Sequence, residues 1–260
     1  MSVNEQKHAR LDEDMINERH KRIIELLKET KKATVNELAK KLFVSEATIR
    51  RDLTELKAVG LIERSHGLAI LPENAEEVSI FVRMNENARE KEMAATNAIP
   101  YLPDFRSVFI DSSSTALALA QRIDLKFKTV VTNNLQTAIL LSKKKDINLI
   151  LLGGNVRYNT VSAMGGWTMR QLNDFSFDLM ISSCAAVCGD AAFERSIEQR
   201  EIKLAAFPRS AKKVLIVDHF KFDGNGTYRL AALSDYDLVV TDAAPPDELL
   251  NQDINFVYNN

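Results

Sequence analysis

Apolar positions recur at helical spacing over the first part of the chain and then change period. In HKRIIELLKE, residues 20–29, Ile23, Ile24, Leu26 and Leu27 fall on one helical stripe. In TVNELAKKL, which follows, Thr34 stands three residues before Glu37, the spacing of a capping box. A second helix therefore begins there and buries Val35, Leu38, Ala39 and Leu42. It stops at the apolar turn Phe43-Val44, and Ser45 is placed to cap a third helix, SEATIRRDLTEL. Gly60 suits the left-handed end of that helix. Beyond it, LIER and LAIL flank Ser65-His66-Gly67 as a hairpin. Three short helices with a tight second turn and a hairpin behind them describe a winged helix-turn-helix.

On the third helix, at about 100° per residue, Ile49, Leu53 and Leu56 share the face that must pack on the first two. Ala47 and Arg51 point nearly opposite, with Thr48 and Arg50 on the flanks. Short or hydrogen-bonding side chains beside guanidinium groups suit entry into a DNA major groove, where arginine can read guanine or clamp phosphate. The same face also reads as a solvated one on which Arg51 pairs with Glu55. The helix-turn-helix setting favours the first reading. Arg64 and His66 on the hairpin would then lie beside the DNA backbone, although His66 reads equally as a turn residue. The candidate DNA contacts are Thr34, Ser45, Glu46, Ala47, Thr48, Arg50, Arg51, Arg64 and His66.

Residues 72–89 open with proline, are acidic and lack clear periodicity until their end, so they read as a linker. From Arg89-Glu90-Lys91 an alanine-rich helix runs to Ile99, and the pattern then alternates. SVFID leads into SSSTALALAQRI, TVVT leads into NNLQTAILLSKK, and NLILLGG, DLMISS, KVLIVD and DLVVTD supply further apolar runs. Such alternation implies a parallel sheet covered on both faces, with ligands at the carboxyl ends of its strands. At those ends stand Asp111, Ser112, Ser113, Ser114 and Thr115, then Thr132, Asn133 and Asn134, then Gly153 and Gly154, and Lys221 past KVLIVD. Hydroxyls and free helix N–H groups there can hold a phosphate. Each also has a duller use, since serine and asparagine cap helices and glycine turns the chain.

Composition narrows the choice. The 260 residues are 45% hydrophobic and 27% charged, as in a soluble globular protein of one or two domains. No apolar run is long enough to span a bilayer and the start has no secretory h-region, so a cytoplasmic location is expected, with no membrane partner. The net charge of -2 conceals an asymmetry. Arg19 to Arg64 hold twelve basic residues against seven acidic ones, which leaves the remainder with seven more acids than bases. A basic module on an acidic body suits nucleic acid plus a second role. Cys184 and Cys188, the only cysteines, form no disulfide framework and fit a reducing compartment. Without further ligands nearby they read as buried small hydrophobes rather than a zinc site, and no metal or cofactor is expected. Trp167 and the other aromatics show no stacking pattern separable from core packing.

VSEATIRRDLTELKAVGLIERSHGLA resembles the DeoR-type bacterial repressors, whose signature places valine-serine, threonine-isoleucine-arginine-arginine-aspartate-leucine, a glycine and a histidine-glycine-glycine-alanine wing in this order. Leu68 stands where the second wing glycine is usual. The resemblance singles out Ser45, Thr48, Arg50 and Arg51 as DNA contacts. It continues through Arg83 and Glu90-Lys91 and through DSSST, VVTNN, LLGGNVR and DHFKF, which match an effector domain similar to ribose-phosphate isomerases and glucosamine-phosphate deaminases. It implies that the strand-end residues form a pocket for a phosphorylated sugar or related metabolite. Ser113 replaces a usual glycine, Phe220 a usual serine, and CAAVCGDAAFERSIEQ lacks the usual glycine-rich form.

The expected architecture is α/β: a tail (residues 1–18), a winged helix-turn-helix (19–71), a linker (72–89) and a parallel-sheet effector and oligomerisation domain of the sugar-phosphate isomerase-like type (90–260). The expected function is a repressor of carbohydrate-metabolism genes. It binds double-stranded operator DNA as a homo-oligomer, dimer or tetramer, and a phosphorylated metabolite releases it. Two alternatives stand beside it: a sugar-phosphate enzyme using Asp111, Asp218 or His219, and a DNA-binding protein that has lost ligand sensing.

Overall fold

The small N-terminal core forms because three amphipathic helices each bury one apolar stripe. These are α1 (Glu18–Thr30), α2 (Val35–Leu42) and α3 (Glu46–Ala58). Ile23, Ile24 and Leu27 meet Val35, Leu38 and Ala39, and Ile49, Leu53 and Leu56 are fully buried between them. The computed structural model describes residues 18–58, 62–65, 67–70, 79–157 and 159–259. Gly60, His66, the tail 1–17 and residues 72–78 of the linker therefore lie outside the described residues.

Thr34 closes a capping box on α2: its Oγ1 accepts the Glu37 N–H at 3.2 Å, and its own N–H donates to Glu37 Oε2 at 2.7 Å. Phe43 ends that helix in the left-handed region at φ 55°. Ser45 Oγ accepts the Thr48 N–H at 3.1 Å and so caps α3. The wing is broader than a hairpin. Strands β2 (Glu63–Ser65) and β3 (Leu68–Ile70) are antiparallel, and β1 (Lys32–Thr34) adds a third strand against β3. Gly67, at φ 82°, makes the turn between β2 and β3. A three-residue strand offers too short a pattern to be seen in sequence. Residues 80–85, inside the segment read as linker, form α4 (Ile80–Asn85), and its Phe81 and Val82 pack on the small core.

The chain divides into two units, Met1–Glu86 and Asn87–Asn260. In the second, seven strands make one parallel sheet. They are β4 (Ser107–Ile110), β5 (Thr129–Thr132), β6 (Asn148–Leu151), β9 (Phe177–Ser182), β12 (Ser210–Ile216), β14 (Leu238–Val240) and β15 (Phe256–Val257), in the spatial order β15-β14-β12-β9-β4-β5-β6. Residues alternate between its faces. Val108, Ile110, Leu179, Ile181, Val214 and Ile216 pack on one side with α5 (Ala88–Ala98) and α6 (Ser114–Arg122). Phe109, Met180, Leu215 and Val239 face the other side. The chain starts the sheet at β4, builds outward through β5 and β6, then returns to the opposite side of β4 with β9. That reversal places a topological switch point between β4 and β9, the position at which open α/β sheets bind their ligands.

Smaller elements decorate this frame. CAAVCGDAAFE contributes β10 (Ala186–Cys188) and β11 (Ala191–Glu194), which join β13 (Tyr228–Ala232) in an antiparallel sheet. Strands β7 (Asn155–Arg157) and β8 (Ser162–Met164) form a separate ribbon. Helices α7 (Leu135–Leu141), α8 (Gly166–Leu172) and α9 (Ile197–Ala206) follow β5, β8 and β11 along the chain. Among the described residues no helix is long and apolar enough to cross a membrane.

Candidate functional site

Two sets of candidate residues stand one in each unit. In the first, α3 turns Glu46, Ala47, Arg50 and Arg51 to solvent, while Thr48 is partly covered. Both arginines are held by acids on their own helix. Arg50 Nη2 lies 3.1 Å from Glu46 Oε2, and Arg51 Nε lies 3.1 Å from Glu55 Oε1. Both pairs join residues four apart on the helix, and only the second is among those expected from sequence. With Arg50 and Arg51 side chains 57% and 83% exposed, such pairs are weak and open readily to a better anion. Glu46 also accepts from Asn36 Nδ2 at 3.2 Å, so it braces α2 against α3. Arg64 Nη1 donates to Thr54 Oγ1 at 3.3 Å and sits on β2 beside the same helix.

Beneath this surface Asp52 is buried, and Arg19 grips both its oxygens at 2.5 and 2.8 Å. That contact raises the Arg19 guanidinium above its ordinary value, against the cost of burial. His20 Nε2 lies 3.4 Å from Asp52 and from Glu55. These three are the one group among the described residues spaced to hold a metal ion, and Arg19 already neutralises its buried carboxylate.

In the second unit the structure gathers Asp111 to Thr115, Thr132 to Asn134 and Lys221 at the carboxyl edge of the sheet, but assigns several of them structural work. Asp111 is buried and its carboxylate is fully committed. Oδ1 accepts from Ser113 N–H at 2.9 Å and Ser113 Oγ at 2.5 Å; Oδ2 accepts from Ser182 Oγ at 2.8 Å and Ser183 N–H at 3.0 Å. Lys203 Nζ lies 2.9 Å from the same Oδ2 and donates to Glu194 Oε1 at 2.5 Å and to the Ser183 carbonyl at 2.6 Å. Burial alone would raise the Asp111 carboxyl, but Lys203 and then the serine donors hold it below its usual range. Burial alone would lower the Lys203 ammonium, but Asp111 and Glu194 raise it above its ordinary value. Neither Lys203 nor Glu194 was found from sequence.

The duller readings also hold in part. Ser113 caps α6, its Oγ accepting from Ala116 N–H at 3.2 Å, and Asn134 caps α7 through Thr137 N–H at 2.8 Å. Ser113 adopts φ -85° and ψ 146°, ordinary extended backbone that needs no glycine. Thr132 Oγ1 accepts the Asn134 N–H at 3.2 Å. Ser112 Oγ donates to Gln199 Oε1 at 2.7 Å. Gly153 is tied to α8 by Gln171 and Thr168, both of which donate to its carbonyl at 2.9 Å. Gly154 has a steric reason to be glycine: a Cβ there would lie 2.1 Å from Thr168 Oγ1 and 2.9 Å from the Met164 carbonyl. Gly154→Ala is therefore expected to lower stability by about 1–3 kcal/mol, read as a fall in the urea midpoint; an unchanged midpoint would remove this role.

What remains uncommitted points to a ligand. Asn133 Oδ1, Ser183 Oγ and Asp218 Oδ2 are buried without a hydrogen-bond partner among the described residues. They follow β5, β9 and β12, which with β4 are four neighbouring strands at the switch point. Buried polar atoms of this kind call for a partner that the chain does not supply. Lys221 sits in the turn after β12, and its charge acts on Cys184. Burial, then Glu194, push the Cys184 thiol up to about 12, which makes it inert as nucleophile or ligand. Phe220 is 47% exposed with its ring centroid 4.0 Å from that of His219, whose Nδ1 lies 2.7 Å from Asp242 Oδ2.

Residues 19–75 match the family described as the DeoR-like helix-turn-helix domain, and residues 86–243 match the DeoR C terminal sensor domain. The glycerol-3-phosphate regulon repressor of Escherichia coli (strain K12) is 34% identical over 231 residues, covering 88% of this chain and 92% of that one. The HTH-type transcriptional regulator GolR of Listeria innocua is 34% identical over 228 residues, covering 86% and 90%. Ribose 5-phosphate isomerase A from Neisseria gonorrhoeae superposes with a TM-score of 0.37 at 19% identity, covering 51% of this chain and 52% of that one.

Proposed function

The chain belongs to the DeoR family of helix-turn-helix transcriptional regulators, and from that premise we propose that it represses its target genes until a small phosphate ester occupies the strand-end crevice. It is a DNA-binding regulator and not an enzyme: its relatives carry the names of repressors and regulators. The observation that carries the ligand half of the reading is the trio of unpartnered buried atoms on Asn133, Ser183 and Asp218. A protein that had lost sensing would have no use for them, and Ser113 and Phe220 leave them uncovered by any hydrogen bond.

In this reading Thr48, Arg50 and Arg51 meet operator DNA, helped by Ser45, Ala47 and Arg64, while Thr34 and Glu46 hold the helices in register. The free N–H groups at the start of α6, with Ser114, Thr115 and Lys221, receive the phosphate. Asp111 shapes that loop rather than touching the ligand. The effector must bind the operator-incompetent state more tightly, because equal affinity for both states would shift nothing. One short recognition helix reads only a few base pairs, so the operator-bound form contains at least two protomers on repeated half-sites.

The test uses purified protein and the DNA fragments that copurify with it. Fluorescence anisotropy should show release by one of glycerol 3-phosphate, ribose 5-phosphate or glucose 6-phosphate, and none by glycerol, ribose or glucose. Sedimentation of the complex counts the protomers. Indifference to all three esters would sink the ligand half, and one protomer on a single short site would sink the oligomer.

A further inference from the structure

Helix α9 presents two residues one turn apart, Gln199 and Lys203, to the loop that joins β4 to α6. Ser112 Oγ donates to Gln199 Oε1 at 2.7 Å, and Lys203 Nζ lies 2.9 Å from Asp111 Oδ2. The two residues are only 3% and 4% exposed. Lys203 also ties the loop to β11 through Glu194 and to the end of β9 through the Ser183 carbonyl. One helical face thus fixes consecutive residues of the loop that leads into α6, Asp111 and Ser112.

Stability does not explain this arrangement. Burying an ammonium with two carboxylates loses hydration that the ion pairs only partly restore, and well-packed apolar side chains often do better. The best attested use of such a cluster is to impose one arrangement among several. Here that arrangement is the loop at the switch point. The cluster holds one positive and two negative groups, so it carries a net negative charge behind a loop read as receiving an anion. Lys203 and four further donors keep the Asp111 charge turned inward.

We propose that Gln199 and Lys203 are positioning residues of the effector site, which clamp Asp111 and Ser112 so that the start of α6 is preformed for a phosphate ester. The inference rests on the reading that this crevice binds the effector. It separates two outcomes in Gln199→Leu and Lys203→Met: operator affinity in the absence of ligand is unchanged, and response to ligand is weakened.

The experiment uses the full chain, its operator, and glycerol 3-phosphate, ribose 5-phosphate and glucose 6-phosphate as probes. Gln199→Leu should raise the half-release concentration of the active ester about tenfold, as expected for one lost buried hydrogen bond. Lys203→Met should raise it further, because it removes the ammonium that ties Asp111, Glu194 and the Ser183 carbonyl together. Ser112→Ala should shift release in the same direction as Gln199→Leu, and the double variant should shift it by less than the sum of the two, since both delete the bond they share. Release at native ester concentrations in Gln199→Leu, or full additivity in the double variant, would overturn the proposal and leave the effector site standing. If no ester releases the native protein, the effector reading fails and the proposal falls with it. Should Lys203→Met not fold, the Ser112 and Gln199 variants decide the matter alone.

Discussion

Lys203→Met is expected to cost the C-terminal unit about 3–5 kcal/mol, because it strands two buried carboxylates without their common cation. The loss is read from urea unfolding of native and variant proteins. Glu194 and Asp111 both lie within 2.9 Å of the ammonium and are nearly without exposure. The pH dependence has a definite sign. Asp111 is held below its usual range, so its contribution is complete above the unfolded carboxyl value and fades as pH falls through the lower folded one. Lys203 is raised, so its contribution is complete below the unfolded ammonium value and fades only as pH rises through the higher folded one. The gap between native and variant proteins should therefore hold from roughly pH 4 to pH 10. A gap that closed near neutrality would show that the cluster is not ionised as drawn.

Arg50→Ala and Arg51→Ala should each weaken operator binding by about 1–3 kcal/mol, and together by about a hundredfold or more, with the urea midpoint unmoved. Both side chains are exposed, Arg51 opposite Ile49, Leu53 and Leu56 and Arg50 on the flank, so their loss opens no cavity. If one of them meets phosphate rather than a base, its removal also lowers the salt slope by about one. Unaltered binding in both variants would return this face to simple solvation.

The capped helices, the burial of Ile49, Leu53 and Leu56 and the apolar runs of the parallel strands were legible because each is written in spacings of two to four residues. Thr34 with Glu37 and Ser45 with Thr48 are of this kind. The clamp on Asp111 was not legible, because Lys203 and Glu194 lie far along the chain and meet it only once β9 has returned to the side of β4. Sheet order of that sort has no local signature. Arg19 and Asp52 also pair between helices, 33 positions apart. Strand β1 and helix α4 were missed for a different reason: three and six residues are too few to establish a period. Roles also shifted on folding. Asp111, Ser113 and Asn134 stand where sequence places them, yet their polar atoms are largely spent on the chain itself, and the uncommitted ones belong to Asn133, Ser183 and Asp218.

The acids beside Arg50 and Arg51 act as resident competitors for those guanidinium groups. Every phosphate that approaches must displace a carboxylate, at about 0.3–0.5 kcal/mol for each pair. Random DNA offers little in return for that exchange, whereas an operator that supplies base edges as well as phosphates offers much more. The two glutamates thus subtract a nearly constant amount from operator and random DNA alike, which lowers both affinities and leaves their ratio unchanged. Glu46 and Glu55 would in this way set the overall affinity for DNA, while the contrast between operator and bulk genome rests on the base edges that Thr48, Arg50 and Arg51 are proposed to read.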